Sequence, residues 1–261
     1  MNKLFFIISL FWIFLFLARF TLDWNPNEMV FDHILSGPTN EAWLGMDDYG
    51  RSIATRLVDG LVNSSLIVLL ATLVSSSIGI LIGMTSGYLG GRFDQFILFI
   101  INLFMSFPGI LLAIAFAAFL SPGKLNLILA LSIGGWVGYA RLARSQTLSI
   151  KNIDFVKASQ TMGGNNQWIL FKHIFPNLRT PLIVEGTYAL ASLVIAEASL
   201  SFLGLGLQAP DASWGGMMRD SVRYLLVAPH YAIFVGLSIM SVVFWINSIG
   251  DYVHNRWNIN G

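Results

Sequence analysis

Long apolar runs alternate with short polar interruptions along this chain, and each run is continuous instead of switching polarity at every second residue. Six runs approach the roughly 20 residues that a helix needs to cross a bilayer: 4–22, about 64–88, 96–120, 125–143, 180–203 and 230–250. Transmembrane barrel strands would alternate apolar and polar positions, so the pattern predicts an all-α polytopic membrane protein with about six transmembrane helices. The fourth run is short, and the fifth carries Glu185 and Glu197. The first, LFFIISLFWIFLFLARFTL, exceeds the about 7–15 residues of a signal-peptide apolar region, and no small-x-small cleavage site follows it. Residues 1–22 are therefore expected to form a retained transmembrane anchor.

Composition agrees. The 261 residues are 55% hydrophobic and 11% charged, with a mean hydropathy of +0.68, whereas soluble domains are about a quarter charged. The net charge of +1 says little, because the charges are sorted by location. With an N-terminus on the cytoplasmic side, the inner segments hold Lys3, Arg92, Arg141, Arg144, Lys151, Lys157, Lys172, Arg179 and Arg256. The outer ones hold Arg51, Arg56, Lys124, Arg219 and Arg223, with Arg19 at the outer end of the first span. That excess predicts both termini inside. Asp23, Glu28, Asp32, Glu41, Asp47, Asp48 and Asp59 all fall in the first outer loop, 23–62. There is no cysteine, hence no disulfide framework or thiolate metal site, and His33, His173, His230 and His254 are scattered. No metal, cofactor or nucleic acid is expected to bind this chain.

Within the spans, Ser75, Gly79, Gly83, Gly87 and Gly91 recur every four residues, a small-residue stripe that lets two helix backbones approach; Gly134 and Gly138 repeat the device in the fourth span. Pro108 predicts a kink inside the third span, with Asn102 and Ser106 placed to serve the freed backbone groups. An acid inside a span faces protein or water. Glu185 is expected to reach water at the inner end; Glu197 either bonds a neighbouring helix or lines a solute path. The outer segment PDASWGGMMRD reads as a docking or gating surface with Trp214 as an interfacial aromatic, or as a plain anchored loop.

The stretch VKASQTMGGNNQWILFKHIFPN (156–177) lies in the longest inner loop, about 144–179. NIDFVKASQTM predicts a short helix with Asn152 as N-cap and Phe155, Ala158 or Ser159, and Met162 on one face. Gly163 and Gly164 supply a stop. Asn165 or Asn166 caps a second helix, QWILFKHIF, that ends before Pro176. Such a helix–corner–helix serves equally as a lever on the adjoining spans or as an interfacial helix on lipid headgroups.

This loop resembles the EAA loop of binding-protein-dependent ABC importer permeases: Glu-Ala-Ala, three residues, Gly, then a spacer to a hydrophobic-x-Pro ending. Here it reads Lys157-Ala158-Ser159, Gly163, then His173-Ile174-Phe175-Pro176-Asn177, with Lys157 and Ser159 departing from the pattern. LGMDDYGRS (44–52) is similar to the Leu-Gly-Thr-Asp-x-x-Gly-Arg-Asp motif of the C-type permease of dipeptide, oligopeptide and nickel importers, with Met46 and Ser52 departing; Asp47 and Arg51 match it. EASLSFLGLGLQAPDASWGGMM (197–218), which holds Trp214 and Gly215, resembles that subfamily's signature, and FPGILLAIA (107–115) and GWVGYARLARS (135–145) also fit. The resemblance covers about 44–255.

It implies a type I ABC importer permease (MetI-like) fold in a bacterial or archaeal cytoplasmic membrane: an anchor at 1–22, an extracytoplasmic loop at 23–62, a permease core at 63–255 and a short tail at 256–261. It implies as partners a homologous B-type permease, two ATP-binding cassette subunits that use ATP and Mg, and an extracytoplasmic substrate-binding protein. The coupling loop would comprise Phe155, Lys157, Ala158, Ser159, Met162, Gly163, Gly164, His173 and Pro176. Asn102, Pro108 and Glu197 would line the path, and Asp47, Arg51, Trp214 and Gly215 would form an outer docking surface or gate. No G-x-x-x-x-G-K-[ST] phosphate loop occurs, so ATP hydrolysis is expected of the partners. The solute expected is a peptide or a related compound such as a nickel complex. The rival readings are a stand-alone secondary transporter or channel, which several intramembrane charges and paired broken helices would favour, and a membrane scaffold.

Overall fold

The computed structural model describes residues 3–21, 24–40 and 42–258. Leu22, the acids Asp23 and Glu41, the tail 259–261 and the side chain of Lys3 lie outside the described residues. The chain is helical almost throughout: α1 (Lys3–Thr21), α2 (Ile53–Leu89), α3 (Gly91–Met105), α4 (Gly109–Phe119), α5 (Lys124–Ile150), α6 (Asp154–Thr161), α7 (Asn166–Trp168), a π segment (Ile169–Ile174), α8 (Phe175–Phe202), α9 (Trp214–Val222) and α10 (Pro229–Asn258). Among the described residues four helices are long and apolar enough to cross a membrane, or five when the broken pair α3–α4 counts as one span. The 19-residue α1 shows a shorter apolar stretch, Ile8–Leu17, so the count of six is approximate.

The pair α2–α5 lies at the centre. A side chain on Gly83 would collide with the carbonyl of Ala140, and one on Gly79 with that of Trp136; at Gly87 an added Cβ would come within 2.8 Å of Arg144 O. On the α5 side, a Cβ at Gly135 would meet Ser75 Oγ at 2.6 Å, and the Ser132 hydroxyl donates to Ala71 O at 3.4 Å. The stripe thus acts as expected from Ser75 to Gly87 but ends there, because Gly91 opens α3 and faces open space. Gly134 and Gly138 do not serve this contact. At about 100° per residue they point away from α2, Gly134 toward Gly109 and Gly138 toward Glu185.

Several boundaries move. The predicted third span is two helices bent by 85° at Ser106–Pro108, a break rather than a kink. Proline cannot donate its missing N–H and opposes helical geometry in the preceding residue; the Ser106 hydroxyl donates to Asn102 O and Leu103 O instead. Helix α2 starts at Ile53, inside the segment expected to be loop, and its 37 residues exceed a bilayer's thickness. The polar residues of its first turns are partnered: Arg56 donates to Asn27 Oδ1 (3.0 Å), Asp59 accepts from Arg19 (3.0 Å), and Asn63 donates to Ala212 O (3.0 Å). The second loop helix does not stop before Pro176. Residues Asn166–Phe202 form one apolar helix, and Pro176 sits just after the π segment, whose widened register accommodates its missing N–H. Directly upstream, Phe175 N–H bonds Leu170 O, the wider register of the π segment.

Gly83→Leu is expected to wedge α2 from α5 at a cost of about 3 kcal/mol, lowering the thermal unfolding midpoint of the detergent-solubilised protein. Gly134→Ala, whose new Cβ would meet its nearest neighbour at 3.8 Å, should leave that midpoint unchanged.

Candidate functional site

At the end of the bundle that carries the polar loop, α6 is a helix of eight residues closed by a complete glycine stop. Gly163 adopts φ +85, Gly164 N–H bonds Ser159 O at 2.9 Å and Gly163 N–H bonds Gln160 O at 3.1 Å, the paired bonds of a Schellman motif. Asn165 then caps the next helix by accepting from Trp168 N–H at 2.7 Å. The expected N-cap differs. Ile153 takes that position without a side-chain bond, and Asn152 is exposed.

The residue that roots α6 is Val156, 0% exposed and packed in a cluster with Met84 of α2, Tyr139 and Ala143 of α5, and Ile174 and Leu178 at the base of α8. Sequence reasoning missed it, because one apolar residue on a face makes no periodic pattern. The face singled out instead, Phe155, Ala158 and Met162, points outward, and Met162 is 87% exposed. Lys157 is exposed, Ser159 is half-buried at the glycine corner, and the ring of His173 lies 6.1 Å from that of Phe155. On the other flank, Gln160 donates to the Tyr88 hydroxyl at the end of α2 (3.3 Å).

Below the loop, Arg144 grips Asp94 with two bonds of 2.6 and 2.7 Å, and the Ser86 hydroxyl adds a third at 2.6 Å. Lys151 donates to Gly87 O at 2.7 Å. These contacts tie the ends of α2, α3 and α5. Arg144 and Lys151, counted in the sequence among the inner cations, are structural clamps.

The opposite end is built on burial. Asp47 accepts from the N–H groups of Tyr49 and Arg51 (both 2.9 Å), from Arg51 Nε (2.7 Å), and lies 3.4 Å from Arg56 Nε. The two positions that depart from the motif, Met46 and Ser52, face each other as a single antiparallel bridge. Trp214 is 1% exposed; its indole donates to Leu57 O at 3.0 Å and stands 5.6 Å from Trp12. Ser213 caps α9 by accepting from Gly216 N–H, and a side chain on Gly215 would collide with Ala198 O. Asp47, Arg51, Trp214 and Gly215 are thus buried and hold the segments at this end together. Trp214 is no interfacial aromatic, because α1 and α10 cover it. Between these segments lies a cleft of about 350 Å³ lined by Asp48, Arg56, Asp211, Arg219, Asp220 and Arg223, among others. Burial and the carboxylates of Asp47 and Asp220 push the Asp48 carboxyl above the usual range.

Glu197 has no exposed surface. It accepts from Ser64 of α2 (2.9 Å) and Ser201 of α8 (2.8 Å), so it bridges two helices. Glu185 is half-buried, with one carboxyl oxygen beside Gly138 of α5. Asn102 and Pro108 are exposed at the α3–α4 break, next to a cavity of about 480 Å³ lined by Gly109, Gly134, Ser192 and Ser199. Among the described residues no group of three or more His, Asp or Glu is placed to hold a metal ion.

Residues 79–259 match the family described as binding-protein-dependent transport system inner membrane component. The chain is 36% identical over 237 residues to the glutathione transport system permease protein GsiD of Pectobacterium atrosepticum, covering 90% of this chain and 79% of the relative. It is 40% identical over 217 residues to the dipeptide transport system permease protein DppC of Alkalihalophilus pseudofirmus, covering 83% and 71%. Among solved structures, an inward-facing conformation of the MetNI methionine ABC transporter superposes with a TM-score of 0.63 at 21% identity, over 76% of this chain and 94% of that one, a likeness of fold.

Val156→Ala is expected to cost about 2 kcal/mol, seen as a lower thermal midpoint. Asp47→Asn, which leaves two arginines short of a buried partner, should cost about 3 kcal/mol. Asp48 behaves oppositely. Its folded-state value is raised, so the stability it contributes is present below the unfolded value of about 4 and is lost as pH rises through the folded one. Asp48→Asn should remove that loss in midpoints measured across the acidic range.

Proposed function

Because the chain belongs to the binding-protein-dependent transport system inner membrane component family, and so is a multi-pass inner membrane permease subunit of an ABC importer, we propose that α6 is the helix through which ATPase partners drive its spans. The observation that carries this reading is the two-sided construction of α6. One side chain, Val156, is sunk among α2, α5 and α8, while Phe155, Ala158 and Met162 stand free on the other side. A body seated on the free face moves three helices at once, because packed interiors transmit displacement. Lys157, Ser159, Gly163, Gly164, His173 and Pro176 complete the loop, the glycines fixing its corner.

The loop end is then cytoplasmic, with both termini on that side. The complex joins this chain to a homologous B-type permease, two ATP-binding cassette subunits and an extracytoplasmic binding protein that docks near the outer loops. ATP and Mg are used by the cassettes; this chain carries no phosphate loop. The broken pair α3–α4 supports a place on the solute path for Asn102 and Pro108, since non-helical backbone at membrane depth is stable only against protein or water. The solute proposed is a short peptide, supported by two relatives, one a dipeptide permease and one a permease for glutathione, itself a tripeptide.

The test is affinity purification of the tagged chain with mass spectrometry of its companions, then uptake of a labelled dipeptide by proteoliposomes holding the complex. A second permease and ATPases that co-purify, with uptake that requires ATP and is lost in Gly163→Pro while insertion is kept, is the expected result. A chain that purifies alone and transports without ATP overturns it.

A further inference from the structure

Resting on that reading of α6, we infer that the partner ATPase receives it in a groove with an apolar floor and an acidic rim. The free face of α6 is an apolar ridge of Phe155, Ala158 and Met162. At about 100° per residue, Phe155 and Lys157 stand at the two margins of the exposed half of α6, about 160° apart, with Ala158 and Asp154 between them. Beyond Phe155 lies the π segment, which carries Lys172 and His173. His173 lies against Phe155, and the neighbouring Lys172 holds its ammonium 5.8 Å from the centre of the exposed Trp168 ring. Among the described residues no carboxylate comes within ion-pair distance of Lys157 or Lys172. The cations that do belong to the fold at this end are already engaged, Arg144 with Asp94 and Lys151 with Gly87 O. Asp154 is the single acid on α6 and does not pair with Lys157.

A partner that covers the ridge draws both lysines into a region of lower dielectric. An ammonium desolvated without a counter-charge is strongly unfavourable, and a like charge opposite it more so. A surface that accepts this ridge therefore places Asp or Glu side chains at its edges, and Lys157 selects for such a cassette against one whose groove edge is basic.

The inference is tested on the purified complex with a zero-length carbodiimide, which joins an amine to a carboxylate only in direct contact. The expected result is a mapped link from Lys157, and from Lys172, to Asp or Glu of the ATPase. Lys157→Arg should keep assembly and lose the link. Lys157→Glu should weaken ATPase retention about tenfold at about 50 mM salt, and by much less at about 500 mM, where screening is strong. Replacing the linked acid by Lys should restore the Lys157→Glu complex. Lys157→Glu complexes as tight as native at low salt, or native complexes in which Lys157 links to no ATPase carboxylate, overturn the acidic rim. Met162→Asp separates that failure from a failure of the docking reading. If it still releases the ATPase, α6 docks through its apolar ridge alone; if the ATPase is retained despite every change on α6, the docking reading falls too.

Discussion

At Gly79 and Gly83 the backbone of α2 lies directly on the carbonyls of α5, with no side chain between them. In hydrocarbon there is no aqueous driving force to press helices together, so close van der Waals contact and a few polar bonds must hold them. That contact sets the positions of the parts around it. It brings Gly87 O to Lys151, and Ser86 and Arg144 together onto Asp94, which anchors α3. It also places Met84 beside Tyr139 and Ala143, three of the residues that surround Val156. Were α2 and α5 a full side-chain diameter farther apart, the seat of α6 would lose its floor.

Three buried polar groups tie the bundle together. Glu197 joins α2 to α8 through two serine hydroxyls, and Trp214 joins α9 to α2 through Leu57 O. Asp47 gathers Arg51, Arg56 and two backbone N–H groups into one turn at the start of α2. An unpartnered polar group in such surroundings is costly, which makes these contacts poor candidates for exchange with a passing solute and good ones for fixing register.

Features with a local cause were legible in the sequence. The glycine stop at Gly163–Gly164 follows from a left-handed conformation that only glycine adopts cheaply, and the stripe from Ser75 to Gly87 follows from helical repeat. Features set by distant neighbours were not. Trp214 has the amphipathic character of an interfacial residue, and only Trp12 of α1 and the packing of α10 turn it inward. Asp47 and Arg51 resemble a motif whose exposure cannot be read from spacing. Pro108 forbids a straight helix, yet the 85° turn also depends on where α4 finds α5. The stop expected at Pro176 fails because the helix had already entered a π register at Ile169, a state that residue preferences do not signal.

The rod from Asn166 to Phe202 is uneven along its length. Its base contains a π turn and two prolines, Pro176 and Pro181, each of which removes backbone bonds or weakens their geometry. From Leu182 to Phe202 the ladder carries no proline, and Glu197 pins its far portion to α2. On the proposed coupling role of α6, the rod is then weakest in its backbone ladder where load would enter and most regular where it would be delivered, so that thrust and rotation would reach the far end more readily than bending.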